Sequence, residues 1–255
     1  MKPLSSSSLP PASGDTVPPP VLSVLLPAHN EEGGVQAVVR ETAAVLRRMG
    51  RPFEILVVDD ASTDATAERL QALSPDVPEL RILRLEAHAG QSAALGAAFR
   101  EARGGILVTL DADGQNDPAD IPALVAQLDT CDACCGVRIR RCDAWSRRVG
   151  SRLANAVRNA VLRESIRDTG CTLKAFRAVF APQLPMQFRG MQRFLPALLA
   201  MQGARITELP VGHRPRAADK SHYTNRGRLR ECLVDLGAVR WMQKRWRSTR
   251  TTAIR

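Results

Sequence analysis

The sequence predicts an α/β protein with a mostly parallel, Rossmann-like sheet, flanking helices and a basic helical extension at its C-terminal end. Short apolar runs alternate with segments of helical periodicity from Val21 to Arg138. This alternation indicates β-α-β units, whose consecutive strands run parallel. A chain of 255 residues is long enough for one large domain with a sizeable core.

Each apolar run defines one element of this sheet. The run that ends at Leu110 is uncharged and stops at a carboxylate, as expected of a buried strand that reaches the sheet edge. Asn30 precedes the first helix, and Ser62 or Thr63 the second, as candidate N-caps. We place strands at 21–26, 54–58, 81–85, 106–110 and 132–137, and helices at 33–48, 64–73, 90–103 and 118–129.

The alternation fades after Arg138. A basic helical stretch is predicted over 145–163, a late strand over 205–210 and a basic helix over 226–247. The domain boundaries follow from these shifts in composition. They predict a disordered Ser/Pro-rich leader at 1–20, one domain at 21–225, and an amphipathic helix with its tail at 226–255.

Charge is divided unevenly along the chain. Residues 1–137 contain 10 Lys and Arg against 19 Asp and Glu, whereas residues 138–255 contain 26 against 7. Solvated arginines on helix faces explain part of the basic excess, and the rest indicates an anionic partner. Phosphates, acidic lipids and nucleic acids all satisfy this requirement.

The leader lacks the apolar centre of a signal peptide, and no apolar run is long enough to span a bilayer. We therefore expect a cytoplasmic protein without a transmembrane segment. Six cysteines include one Cys-x-x-Cys pair, at Cys131 and Cys134, but no second pair follows at zinc-finger spacing. Reduced packing cysteines are the expectation.

The last helix permits two interpretations. Leu229, Leu233, Leu236 and Val239 are expected near one stripe, with Trp241, Trp246 and seven basic residues around them. Such a helix can lie on an anionic membrane surface, which would make the protein peripheral on the cytoplasmic face. It can equally be an ordinary surface helix that packs on its own domain.

Two carboxylates, Asp111 and Asp113, follow the strand at 106–110. Residues just past the carboxyl end of such a strand line the crevice where α/β sheets bind ligands. Because Mg²⁺ and Mn²⁺ prefer oxygen ligands and often bridge carboxylates to phosphates, the pair suggests a cation with a nucleoside diphosphate. An isolated Asp-x-Asp is more often a solvated turn.

Two other strand ends deliver polar groups to the same edge. The first strand runs into Pro27-Ala28-His29-Asn30-Glu31, and the second into Asp59-Asp60. Together with Asp111 they can contact a nucleotide's ribose and base. Neither a Gly-x-Gly-x-x-Gly after the first strand nor a P-loop is present, so neither a dinucleotide-binding fold nor an NTPase is supported.

The runs LLPAHNEE, ILVVDDASTDAT, HAGQSAALGAAF and VTLDADGQNDP, in this order and spacing, resemble the family 2 glycosyltransferases of the GT-A fold. The later runs GVRIRR, IRDTGCTLKAFR, HRPRAADKSHY and LVDLGAVRWM resemble the polyprenyl-phosphate branch of that family, which dolichol-phosphate mannosyltransferase typifies. The resemblance covers about residues 21–245.

The resemblance implies a nucleotide-sugar site in the acidic half. A divalent cation, Mg²⁺ or Mn²⁺, would bind at Asp111 and Asp113, and Gln115 would complete its ligands or touch the diphosphate. The base and ribose would lie against Pro27, Ala28, His29, Glu31, Asp59 and Asp60.

In the basic half the resemblance implies that Arg138, Arg167 and Asp168 act near the acceptor phosphate. Arg216, Ser221 and Tyr223 match a loop that would close over the donor and hold phosphate, with Ser221 contacting the nucleotide sugar. This loop departs from the family pattern, because Asp219 replaces a glycine and His222 a lysine. TGCT after Asp168 is a further departure.

The implied reaction is an inverting transfer of a hexose from a nucleotide sugar of the GDP-mannose or UDP-glucose type to a polyprenyl phosphate. One alternative is a family 2 transferase with a saccharide or small-molecule acceptor. Another is a non-enzymatic nucleic-acid binder, which the single tyrosine and the absence of nucleic-acid motifs disfavour. The sequence does not indicate an oligomeric state.

Overall fold

The computed structural model describes residues 21–139, 155–215 and 225–247, with the side chains of the last segment described from Glu231 onward. Several predictions concern residues outside these ranges. They are the disordered leader at 1–20, the part of the predicted helix at 145–154, and the loop residues Arg216, Asp219, Ser221, His222 and Tyr223.

Five parallel strands and the four helices between them confirm the predicted β-α-β alternation, with end points within three residues of the predicted ones. A short 3₁₀ turn, Pro118–Asp120, precedes the fourth helix. The strands are β1 (Leu22–Ala28), β2 (Phe53–Asp59), β3 (Leu80–Arg84), β4 (Ile106–Thr109) and β5 (Ala133–Arg138). The helices are α1 (Val35–Arg48), α2 (Thr66–Gln71), α3 (Gln91–Glu101) and α4 (Ile121–Gln127).

The second half contributes helices and two more strands to the same sheet. Helix α5 covers 155–162, and the late strand β7 (Ile206–Val211) is confirmed. Strand β6 (Lys174–Arg177) and helix α6 (Leu195–Met201) were not predicted. Strand β6 has a charged residue at each end, so it lacks the apolar run that marks the other strands. The final helix, α7, is Asn225–Arg245.

The strand order is β3-β2-β1-β4-β6-β5-β7. Strand β6 runs antiparallel between β4 and β5, and all other pairs are parallel. The mostly parallel sheet is therefore confirmed. Because β6 pairs Lys174 with both Thr109 and Cys135, it brings the second half of the chain beside the strand that precedes Asp111.

Alternate residues of β1 enter opposite layers of the core, as the period of a strand requires. Val24 and Leu26 pack in the layer that contains Val39 of α1. Leu25 packs in the other layer, which contains Ala98 of α3. Helices thus cover both faces of the sheet, and its carboxyl edge remains for the site.

The predicted N-caps were wrong. Helix α1 begins after Gly34 and α2 after Ala65, and neither residue forms a side-chain cap. The Asn30 carboxamide instead accepts a hydrogen bond from the Thr63 N–H at 2.8 Å, and the Ser62 hydroxyl accepts one from the Asn30 N–H at 2.9 Å. The polar residues therefore tie the two loops together.

The expected stripe on α7 is divided between two faces. Leu236 and Val239 are buried in the core, whereas Leu233 is 55% exposed. At about 100° per residue, Leu233 lies to one side of the buried pair. No helix in the described part of the chain is long and apolar enough to cross a bilayer.

Candidate active site

The carboxyl ends of β1, β2 and β4 form the floor of the candidate site. These strands are neighbours, and Ala28 at the end of β1 pairs with Asp59 at the end of β2. Thr109 ends β4 two residues before Asp111. The predicted residues of the acidic half therefore lie along one edge of the sheet.

The acidic pair Asp59 and Asp60, at the end of β2, is buried and hydrogen-bonded. One Asp59 oxygen accepts from the Ser62 N–H at 3.0 Å, and the other lies 3.4 Å from the Arg84 guanidinium. The Asp60 carboxylate accepts from the N–H groups of Ala89 at 2.7 Å and Gly90 at 2.8 Å. Asp60 thus fixes the loop before α3, and a contact with the nucleoside stays a prediction for both carboxylates.

His29 stacks on His88, a residue that was not among the predicted site residues. The ring centroids are 4.1 Å apart, with the planes tilted by 32°. His29 Nδ1 lies 2.7 Å from the Asp60 carbonyl oxygen, and His88 Nδ1 lies 3.0 Å from Asp60 Oδ2. Because a carbonyl oxygen only accepts, Nδ1 of His29 carries the proton.

In the part of the chain that the structure describes, His29, Asp60 and His88 form a group whose potential metal-binding atoms lie within 4.8 Å of one another. Two imidazoles suit zinc, copper or nickel better than Mg²⁺. This group therefore differs in chemistry from the oxygen-rich pair Asp111 and Asp113, where the cation is predicted to bind.

Asp111 is held from two sides. The Gln91 amide donates to Oδ1 at 2.8 Å, and the Thr172 hydroxyl donates to Oδ2 at 2.8 Å. Burial raises the pKa of Asp111 to about 6, with the charges of Asp113 and Glu31 adding to the shift. Excess negative charge at this point suits a divalent cation, so the ligands present fit the expected metal.

Asp113 and Gln115 shape the turn after Asp111. Asp113 Oδ1 accepts from the Gln115 N–H at 3.0 Å, and Gly114 between them has a φ of 75°. The Gln115 carbonyl accepts from the Arg214 N–H at 2.8 Å. The segment that follows β7 is thereby attached to the predicted metal motif.

Arg214 anchors this attachment. Its guanidinium donates to both Glu41 oxygens at 2.8 Å and lies 2.9 Å from Asp117, which raises the pKa of Arg214. Arg216 and Ser221 lie outside the described residues. Their phosphate and nucleotide contacts stay predictions.

Arg138 and Asp168 are brought together. The Arg138 side chain donates to Asp168 Oδ2 at 2.8 Å and to Oδ1 at 3.0 Å, and Asp168 is buried. Gly170 allows this approach, since a Cβ there would lie 2.8 Å from the Arg138 guanidinium. The two residues thus form a salt bridge within the protein, and the contact of either residue with the acceptor stays a prediction.

Arg167 points to a different partner. Its side chain is 66% exposed and lies 3.0 Å from Glu208 of β7, whose other oxygen accepts from the Arg167 N–H at 2.8 Å. This ion pair gives Arg167 a structural role, and the catalytic role of Arg167 stays a prediction.

Four residues near the site were missed by sequence reasoning. His88 and Gln91 stood inside the HAGQSAAL motif without an assigned role. Thr172 contacts Asp111, and the buried Lys174 lowers the pKa of Asp111 through its charge. Thr172 lies just before β6, and Lys174 is its first residue. The position of β6 between β4 and β5 could not be predicted from the sequence.

Comparison with solved structures identifies the fold class. Glucosyl-3-phosphoglycerate synthase from Mycobacterium tuberculosis, in complex with Mn²⁺, UDP and glucosyl-3-phosphoglycerate, superposes with a TM-score of 0.66 at 19% identity, over 90% of this chain and 82% of that one. Its complex with Mn²⁺, UDP-glucose and phosphoglyceric acid gives a TM-score of 0.67 at 20% identity, with the same coverage. The sheet is that of the GT-A glycosyltransferases.

The family assignment is narrower. The profile of glycosyl transferase family 2 matches residues 23–182, and the chain belongs to this family. The chain is similar to undecaprenyl-phosphate 4-deoxy-4-formamido-L-arabinose transferases. It is 34% identical to that of Salmonella enteritidis over 214 residues, and 36% identical to that of Pseudomonas paraeruginosa over 218 residues. These matches cover 82% and 85% of this chain, but 64% of each relative's length.

Proposed function

We propose that this chain is an inverting glycosyltransferase that moves a sugar from a nucleoside diphosphate to a polyprenyl phosphate. The observation that carries the proposal is the pair Asp111 and Asp113 at the carboxyl edge of a GT-A sheet, where the pKa of Asp111 is raised to about 6. Membership of family 2 favours an enzyme over a nucleic-acid binder. The relatives' names support undecaprenyl phosphate as the acceptor class.

In the proposed reaction, an oxygen of the acceptor phosphate forms a bond to the anomeric carbon. The bond from that carbon to the diphosphate oxygen breaks, and its electron pair leaves with the nucleoside diphosphate. A phosphate monoester is already ionised near neutral pH, so the acceptor needs little help from a base. This agrees with the engagement of Asp168 by Arg138.

Asp111 and Asp113 would hold Mg²⁺ or Mn²⁺, which would stabilise the charge of the departing diphosphate. Gln91 and Thr172 keep the Asp111 carboxylate in one orientation. Arg138 and Arg216 are the proposed phosphate contacts of the basic half. Removal of one such donor typically lowers kcat by about 10² to 10³.

The donor is proposed only as a class, the nucleoside diphosphate sugars. GDP-mannose and UDP-glucose are the hexose donors expected from the sequence, whereas the relatives are named for a modified arabinose. A donor panel must therefore include both kinds of sugar.

Access to a lipid acceptor is proposed through the outer face of α7. Leu233, Val234 and Trp241 are 55%, 65% and 62% exposed there, and Lys244 and Arg245 are exposed beside them. Each basic residue near an anionic surface contributes about 1 kcal/mol of attraction. This arrangement favours peripheral attachment to anionic lipid, and it supports a lipid acceptor over a saccharide.

The decisive experiment is transfer of labelled sugar from the donor panel to polyprenyl phosphate with Mg²⁺ or Mn²⁺. Wild type, Asp111→Asn/Asp113→Asn and the exposed control Asp129→Asn are compared. Organic-extractable label in wild type and control, but not in the double variant, would support the proposal. Cation-dependent binding of UDP or GDP without any transfer would move the acceptor to a saccharide or small molecule.

A further inference from the structure

A turn from the second half of the chain reaches the start of α3. This turn, Met191–Phe194, is a short 3₁₀ helix that follows Gly190. Gln192 Nε2 lies 3.1 Å from Gln91 Oε1, and the Gln192 N–H donates to the Ser92 hydroxyl at 3.2 Å. Gln192 Oε1 also contacts the Ser92 hydroxyl. Gln91, in turn, contacts Asp111.

The direction of every hydrogen bond in this chain of contacts follows from Asp111. An ionised carboxylate only accepts, so Gln91 must present its NH₂ to Asp111 and its oxygen to Gln192. Gln192 must then present its NH₂ to Gln91, which leaves its oxygen to accept from the Ser92 hydroxyl. Each polar atom has a partner of the correct kind. A flip of the Gln91 amide would lose both of its hydrogen bonds, and a flip of the Gln192 amide would lose the one to Gln91.

The hydrogen bonds that lead from Gln192 through Gln91 to Asp111 form a relay. Its far end, the turn Met191–Phe194, is held in place by α7. Gly190 has a φ of 85°, and its backbone lies so close to Asp235 of α7 that a Cβ would overlap the carboxylate. Arg193 Nη1 lies 3.2 Å from the Sγ atom of Cys232, which also belongs to α7. The turn therefore has a defined position, from which Gln192 can constrain Gln91.

We propose that Gln91 and Gln192 are positioning residues for the divalent cation. Gln91 orients Asp111 directly, and Gln192 orients the Gln91 amide. The inference rests on the proposed function, since it assumes that Asp111 is a cation ligand. Outer partners that orient a metal ligand typically contribute about 10- to 100-fold to metal affinity.

The test is Mn²⁺ binding to the full chain, measured by the electron paramagnetic resonance signal of free Mn²⁺ with UDP or GDP present. Gln91→Met and Gln192→Met keep side-chain length and remove the amide. Gln187→Met, at an exposed position before the turn, is the matched control. We expect Gln91→Met to weaken Mn²⁺ binding by about 10-fold or more. Gln192→Met should weaken it by a smaller factor, and the control should bind as wild type.

The double variant separates the relay from two independent effects. If Gln192 acts through Gln91, Gln91→Met/Gln192→Met binds Mn²⁺ no more weakly than Gln91→Met alone. Additive losses, or wild-type affinity in Gln192→Met, would overturn the relay. Should Gln192→Met fail to fold, Gln192→Asn keeps the amide but shortens its reach, and the same weakening is expected.

The enzyme assay gives a second readout. In these variants the Mn²⁺ concentration for half-maximal transfer should rise, while saturating Mn²⁺ restores turnover and the KM for the acceptor stays unchanged. An unchanged Mn²⁺ requirement would overturn the positioning role. Failure of the proposed function is distinguishable, because it would appear in wild type itself, either as no Mn²⁺ binding with the nucleotide or as binding without transfer to polyprenyl phosphate. Failure of the relay would appear only in the variants.

Discussion

Arg138 and Asp168, thirty residues apart, form a two-point ion pair in which Nε lies 2.8 Å from one carboxylate oxygen and Nη2 lies 3.0 Å from the other. The Arg138 N–H adds a third contact at 3.3 Å. The buried Asp168 charge thus has its partner on the last residue of β5. The two residues expected at the acceptor phosphate also hold the loop after α5 against the sheet.

Arg138→Ala should lower the free energy of unfolding by about 3 to 5 kcal/mol, because it leaves the Asp168 charge buried without a partner. Arg138→Ala/Asp168→Asn should recover part of the loss, since no buried charge remains. Urea denaturation of the three proteins at neutral pH tests this. Equal instability of the single and double variants would show that packing, not charge, holds the loop.

Asp111→Asn should stabilise the cation-free protein at pH 8. The folded pKa of Asp111 is about 6, against about 3.9 in an unfolded chain. Above pH 6 the folded state therefore bears the cost of a buried charge, at most about 3 kcal/mol. As pH falls from 6 to 4 the folded state takes up the proton first, and this cost disappears.

Denaturation in EDTA at pH 8 and pH 4 measures this difference, with Asp129→Asn as the exposed control. The advantage of Asp111→Asn should shrink toward pH 4. For the same reason, Mn²⁺ affinity of wild type should fall below pH 6, where the proton competes for the carboxylate. A pH-independent difference between wild type and Asp111→Asn would contradict the raised pKa.

Asp60→Asn should lower the free energy of unfolding by about 1 to 3 kcal/mol. The carboxylate accepts from two backbone N–H groups, of Ala89 and Gly90, on separate oxygens. A carboxamide offers only one oxygen, so one N–H would face an NH₂ group. Thermal or urea unfolding tests this, and stability equal to that of wild type would mean that water replaces the lost acceptor.

Trp241→Ser and Leu233→Ser should each weaken binding to anionic vesicles by about 10-fold, because a buried large apolar side chain contributes roughly 1.5 to 3 kcal/mol. Val21→Ser changes a similarly exposed residue before β1 and should have no effect. Co-sedimentation with vesicles at low and high salt measures the loss. Tight binding by both α7 variants would remove the outer face of α7 from the proposal.

The sequence by itself determined the parallel half of this protein. Apolar runs such as the one before Asp111 alternate with helical segments, and this period specifies both the strands and the edge where their carboxyl ends meet. Asp59, Asp60 and Asp111 could therefore be assigned to one edge from local pattern alone.

Only the tertiary structure decided the contacts that cross the chain. Gln192 and Gln91 are about a hundred residues apart, and no local period reports their approach. The place of β6 beside β4, and the face of α7 that carries Leu233, depend likewise on which surfaces remain to be covered. The periodicity of a segment depends on which of its residues face solvent and which face the core. The partners of a side chain depend instead on how distant segments pack together.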